Sequence, residues 1–298
     1  VNRIQANLLL LLSGAIWGAG FVAQSTAMEE VDPLWFTAMK FGLAALVVAP
    51  LAFFETRKAE APLPKASIRN FMLIGVALFF GAITQQLGLL TTTVTNSGFL
   101  TGLYVVFVPL LTVVFLRRRP HWIIWPAAAM ALFGIFLLSG GSLAGLNDGD
   151  MLTILSAVFW AIQMMLVGIF AGSTGRPMML SLVQFAVCSV TSAAVALFLE
   201  PLSLAAINNA LPEILYAGIL SSGVAFTCQV VGQRYTTAPQ AAIFLSSEAL
   251  FAALFGMVLL GETITPLGYV GCGIIFAAML LVELVPELTK RKTGHAAA

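Results

Sequence analysis

Ten apolar runs follow one another along the chain, each closed by a short polar interval. They cover residues 6–26, 33–54, 68–88, 95–116, 121–139, 150–170, 178–199, 213–232, 238–259 and 265–284. An α-helix rises about 1.5 Å per residue, so roughly 20 apolar residues cross a hydrocarbon layer about 30 Å thick. Lipid offers no partner to a bare amide, and a helix satisfies its backbone groups within one segment. The pattern therefore predicts an all-α integral membrane protein of ten transmembrane helices. Most intervals are short, which makes consecutive spans antiparallel neighbours or near neighbours. The first run has the apolarity of a secretory leader. It lacks a small-x-small cleavage pattern and is followed by nine similar runs, so it reads as a permanent span.

Composition agrees: 60% of the 298 residues are hydrophobic and 9% charged, against about a quarter charged in soluble domains. The net charge of +1 conceals a segregation by side. With the N-terminus in the cytoplasm, every Lys and Arg except Lys40 falls in a cytoplasmic segment, including Arg57, Lys58, Arg117, Arg118 and Arg119. The opposite loops carry Glu29, Glu30, Asp32, Asp148, Asp150, Glu200, Glu213 and Glu262 and no basic residue. This is the positive-inside bias, and it predicts a multi-pass protein of a bacterial cytoplasmic membrane with both termini cytoplasmic. Cys188, Cys228 and Cys272 lie inside apolar runs as small packing residues, so neither a disulfide framework nor a metal site is implied.

The two halves match at a shift of 143 to 144 residues. LSGAIWG from Leu12 aligns with LSAVFWA from Leu155, placing Trp17 on Trp160; Pro33, Lys40 and Phe41 fall on Pro177, Gln184 and Phe185. Gln85, Gly88 and Thr92 fall on Gln229, Gly232 and Thr236, and Tyr104 on Glu248. The expected units are a first repeat, 1–144, and a second, 145–298. Five spans per repeat is an odd number, so the second copy enters from the opposite face. Two inverted five-helix repeats around a central cavity are the expected fold class, with the solute site near the midplane. Gly14 with Gly18, echoed by Ala157 with Ala161, mark close helix contacts.

WGAGFVAQ in the first span, Pro33 with Met39-Lys40-Phe41, TNSGFLTGLYVVFVPLL at 95–111 and SSEALFAALFGMVLLGETITPLGYVG at 246–271 resemble the EamA type of the drug/metabolite transporter superfamily. The YddG-like amino-acid exporters are the members to compare first. The resemblance covers essentially the whole chain. It implies ten spans, cytoplasmic termini and export of amino acids or related metabolites by alternating access. The family's Arg-Phe pair in the second span is Lys40-Phe41 here, which keeps the charge and changes its geometry. Its Gly-Glu-Arg ending of the fourth span is replaced by Arg117-Arg118-Arg119, while the second repeat retains Gly261-Glu262.

Polar and aromatic groups at membrane depth are the candidate cavity residues: Trp17, Gln24, Lys40, Gln85, Asn96, Tyr104, Trp160, Gln163, Gln184, Gln229 and Glu248. A buried ionisable group costs about 2.5 to 3.5 kcal/mol on insertion scales, so Lys40 and Glu248 each need a partner or a wet cavity. Tryptophan favours the interface, so a matched pair near mid-depth serves either packing or a solute path. The amides, Gln86 and Gln240 among them, suit interhelical bonds or a polar cavity equally. Glu283, near the cytoplasmic end of the last span, is expected to reach water, as are His121 and His295. No phosphate loop, metal-ligand spacing or nucleophile–base pair is present, so no cofactor, metal or catalytic residue is expected. The expected partners are a small-molecule solute and the lipid bilayer, with no nucleic acid, and ten spans can work as a monomer. A secondary transporter of amino acids, aromatic and large hydrophobic ones included, is the leading reading. The alternatives are a carrier of drug-like cations or nucleotide sugars, an intramembrane enzyme, or a scaffold.

Overall fold

The computed structural model describes residues 1–92, 94–138, 147–260 and 263–295, and within these every side chain but those at 95, 96, 138, 260 and 287–295. The expected boundary between repeats at 144 and 145, and the Gly261-Glu262 pair, lie outside the described residues.

The first repeat contains α1 (Arg3–Ala27), α2 (Pro33–Arg57), α3 (Lys65–Gly88), a fourth span divided into α4 (Val94–Thr101) and α5 (Tyr104–Leu116), and α6 (Ile124–Leu138). The second contains α7 (Asp148–Ser173), α8 (Pro177–Leu199), the short α9 (Leu204–Asn209), and an eighth span built of α10 (Leu211–Leu215), a π-helical stretch (Tyr216–Ala225) and α11 (Phe226–Gly232). Its ninth span is divided into α12 (Ala238–Leu245) and α13 (Glu248–Leu260), and α14 (Pro266–His295) is the tenth. Among the described residues nine spans are long and apolar enough to cross a membrane unaided, and the tenth apolar helix, Ile124–Leu137, is shorter. The chain is a multi-pass membrane protein of ten helices in two inverted repeats. Its basic residues mark one face and its acidic loops the other.

Local chemistry explains where the helices begin. Asn2 and Gln5 form a capping box at α1, and Asn147 and Asp150 form its counterpart at α7. Pro33 and Pro177 occupy the first positions of α2 and α8, where a missing N–H costs nothing. The remaining N–H groups of these two helices find carboxylates across the interface. Glu200, at the end of α8, accepts from Leu34 N at 3.0 Å and Trp35 N at 3.1 Å. Glu55, near the end of α2, accepts from Met178 N at 3.2 Å and Met179 N at 2.9 Å. Each helix therefore caps the other, an exchange that follows from the two-fold relation between repeats.

The same relation orders the packing. α2 lies against α8 and α6 against α14, each span meeting its own repeat mate. The α3 to α7 contact is repeated by α1 against the π-helical stretch and α11, and α1 against α13 by α7 against α5. Gly14 and Gly18 let α1 touch the divided ninth span. A methyl group on Gly14 would come within 2.3 Å of Ser247 Oγ, and one on Gly18 within 2.6 Å of Ala252 N. Large exposed side chains such as Leu46, Val114, Val190 and Phe198 form the outer surface that faces lipid.

Both fourth spans, read as continuous helices from their apolarity, are broken near mid-depth. At the first break, Val105 N and Val106 N bond three residues back, to Gly102 O and Leu103 O. At the second, Ser247 N and Ala249 N do the same, to Phe244 O and Ser246 O, and Ser246 Oγ donates to Ile243 O at 2.7 Å. Glycine weakens one helix and a serine hydroxyl competes for backbone in the other. Divided helices at equivalent positions of two inverted repeats are the arrangement that places a solute site between them.

Candidate functional site

Between the repeats lies a cavity lined by Trp17, Phe21, Gln24, Lys40, Gln85, Thr101, Tyr104, Trp160, Gln163, Met164, Ser221, Ser222, Phe226 and Glu248. Eight of the expected candidates line it: Trp17, Gln24, Lys40, Gln85, Tyr104, Trp160, Gln163 and Glu248. Gln184 and Gln229 do not; they stand behind Gln163 in a hydrogen-bonded cluster. The side chain of Asn96 lies outside the described residues.

Aromatic rings form one wall. Phe226, the first residue of α11, packs on Trp17 at 4.6 Å and on Trp160 at 5.6 Å between centroids, and on Phe41 at 5.9 Å and Phe185 at 6.1 Å. It thus gathers two symmetry-related pairs about one ring. Its own repeat mate is Ala82, so the duplication gives no hint of it. The helical step from Phe226 to Gln229 puts both on one face and is the signal that could have found it. The indole of Trp160 lies over Gly81, where an added methyl would meet the ring at 3.2 Å.

Two polar clusters flank this wall, one toward each face. Toward the acidic face, Lys40 Nζ donates to Gln24 Oε1 at 2.7 Å and Gln86 Oε1 at 3.2 Å, and lies 5.0 and 5.5 Å from the ring centres of Phe36 and Phe41. These bonds join the first, second and third spans. Lys40 is 4% exposed, and among the described residues it forms no ion pair. Toward the basic face, Gln163 Nε2 donates to Gln184 Oε1 at 3.1 Å, and Gln229 Nε2 to Gln163 Oε1 and Gln233 Oε1, both at 3.0 Å. These join the sixth, seventh and eighth spans. The second cluster is the neutral counterpart of the first, with Gln184 at the position of Lys40.

Tyr104 and Glu248 head α5 and α13 directly after the two breaks. Their side chains interact with one another, and neither Tyr104 Oη nor Glu248 Oε1 has any other hydrogen-bond partner among the described residues. Glu248 is 4% exposed and borders the cavity.

Residues outside the cavity also find partners. Glu283, expected to reach water, is partly exposed and also accepts from Asn7 Nδ2 at 2.7 Å and Gln240 Nε2 at 3.1 Å, and lies 3.3 Å from Arg3 Nε. Three helices, α1, α12 and α14, meet there, which a reading of one span could not anticipate. His121 is exposed, and the three cysteines are free. His295 has no described side chain.

The comparisons with known proteins agree with this architecture. The EamA-like transporter family matches residues 4–140 and again residues 147–284. An uncharacterized transporter of Archaeoglobus fulgidus is 30% identical over 289 residues, covering 95% of this chain and 87% of its own. The inner membrane transporter YedA of Escherichia coli is 25% identical, over 90% of this chain and 87% of its own. YwfM, a transporter of Bacillus subtilis, is 25% identical over 98% and 97%. A solved crystal structure superposes with a TM-score of 0.78 at 17% identity, over 95% of this chain and 98% of that one, which speaks to the fold alone. Ten helices in two inverted repeats, a cavity between divided spans and a family match through both halves converge: the chain belongs to the EamA-like transporter family and is a multi-pass membrane transporter.

Proposed function

We propose that this transporter exports amino acids, aromatic and large hydrophobic ones included, or related small metabolites across a bacterial cytoplasmic membrane by alternating access. Its basic face, with both termini, is the cytoplasmic one in this reading. The observation that carries it is the cavity itself, where the Trp17, Phe226 and Trp160 rings border the same space as Glu248 and Lys40. An amino acid brings an apolar body and a charged head, and such a mixed lining suits both. Trp160 Nε1 is buried with no partner among the described residues and is free to donate to a solute. The two flanking clusters lie on opposite sides of the cavity, each joining three spans of one repeat. Loosening one while the other holds opens the cavity to one face at a time.

Carriage of organic cations is the second reading, favoured by the buried Glu248 side chain, whose Oε1 has no donor besides Tyr104 among the described residues. A polyanionic solute such as a nucleotide sugar fits less well, because the cavity's cation is already engaged by two amide oxygens. The test is a flux screen over amino acids in liposomes carrying the purified protein, with and without a proton gradient. Saturable flux of aromatic or large aliphatic amino acids is expected. Its absence, with flux of organic cations instead, would overturn the amino-acid reading.

A further inference from the structure

The cavity is bordered by one carboxyl side chain, Glu248, and one amine, Lys40, and they differ in what they lack. Lys40 has two strong acceptors, at 2.7 and 3.2 Å, and two aromatic faces nearby. Glu248 Oε1 and Tyr104 Oη, both nearly inaccessible, have only one another among the described residues, and the single phenolic proton leaves lone pairs on both unmatched. A buried acceptor left unmatched costs more than an average hydrogen bond returns, so such a group marks where a missing donor belongs. The unmet demand at this pair is for a further donor group.

We infer that the substrate is recognised through its ammonium group, received by Glu248 and Tyr104 at the heads of the two half-helices. The carboxylate of an amino acid is secondary. This inference rests on the amino-acid reading for its choice of ligands, and it extends that reading to amines that lack a carboxylate. An ammonium supplies a positive charge to Glu248 and N–H donors to both oxygens. The rings of Trp17, Phe226 and Trp160, which border the same cavity, take the apolar body and add cation–π attraction. A carboxylate finds only the neutral N–H of Trp160 unmatched, since Lys40 is already held.

Three ligands separate the charges on the unmodified protein: phenylalanine, phenylethylamine without the carboxylate, and N-acetylphenylalanine without the ammonium. Apparent affinity is read from the thermal stabilisation each gives to the detergent-purified full chain. Phenylalanine and phenylethylamine should bind within about threefold of one another, and N-acetylphenylalanine more than about tenfold more weakly. In Glu248→Gln the amine should weaken by about tenfold, and its advantage over the acetylated ligand should vanish. N-acetylphenylalanine binding as well as phenylalanine would overturn the inference and leave the amino-acid reading intact. Binding of phenylalanine without phenylethylamine would do the same, since it makes the carboxylate the required group. Binding of the amine alone would sustain the inference and overturn the amino-acid reading. Failure of all three would overturn both. The ligand series on unmodified protein decides the matter even where Glu248→Gln does not fold.

Discussion

Trp17 donates its indole N–H to the carbonyl oxygen of Ser221 at 2.9 Å, whereas Trp160, its repeat mate, has no acceptor for its own among the described residues. The acceptor lies in the π-helical stretch, which has no equivalent in the third span. Duplication therefore set two identical rings at equivalent depth, and the partner helix gave them different bonds. Trp17→Phe should cost about 1 kcal/mol of stability for the lost bond, and Trp160→Phe should lose none. Ala at either position should cost about 3 to 5 kcal/mol by analogy with soluble cores. Thermal unfolding in detergent separates these, and flux per folded molecule in liposomes tests the cavity role. Flux that falls only as folded protein falls would assign both rings to packing.

Lys40 ties the first three spans as Gln184 ties their repeat mates, and the second repeat does so without a charge. Lys40→Gln should therefore fold, because an amide donor can serve Gln24 or Gln86. Lys40→Met leaves both amide oxygens without this donor and should cost about 1 to 3 kcal/mol more than the glutamine variant. The check is the order of the two variants in a denaturant or thermal series. Equal stability would mean that the ammonium contributes nothing to the tie.

Glu55 and Glu200 cap α8 and α2 at opposite faces. Glu55→Ala and Glu200→Ala should each cost about 1 kcal/mol, and the double variant their sum within about 0.5 kcal/mol, as for distant sites. At Glu200, burial pushes the carboxyl above the usual carboxylate range, and the N–H groups of Leu34 and Trp35 only partly pull it back. The folded state thus holds this proton more tightly than the unfolded state. Its stability contribution is greatest at low pH and is lost as pH rises through the folded value. Acidification should raise the stability of the unmodified protein relative to Glu200→Gln; the difference in melting temperature across pH is the measurement. A difference that is flat or of opposite sign would contradict this.

Orientation is open to direct labelling. Single cysteines near residues 60 and 118, on a background free of the native cysteines, should react with an impermeant thiol reagent only from the cytoplasmic side. Those near 30 and 147 should react from outside. Outside labelling at residue 60 would reverse the assignment of the basic face.

The sequence by itself determined the ten spans, the segregation of basic from acidic loops and the duplication. Each depends on quantities that act residue by residue: transfer of apolar side chains to lipid, exclusion of charge, and identity at a fixed shift. It also pointed to most of the cavity's polar lining, because a polar group at membrane depth is conspicuous wherever it faces. The breaks after Thr101 and Leu245 were not legible, since a divided span and a continuous one are equally apolar. Nor was Phe226, one phenylalanine among 22, whose central place depends on four rings brought from four other helices. Nothing in the chain told Lys40, satisfied, from Glu248, unsatisfied, or predicted that Glu55 and Glu200 would cap each other's helices. Whether a polar group is satisfied is decided by what stands across a helix interface, and only the packed bundle sets that neighbour.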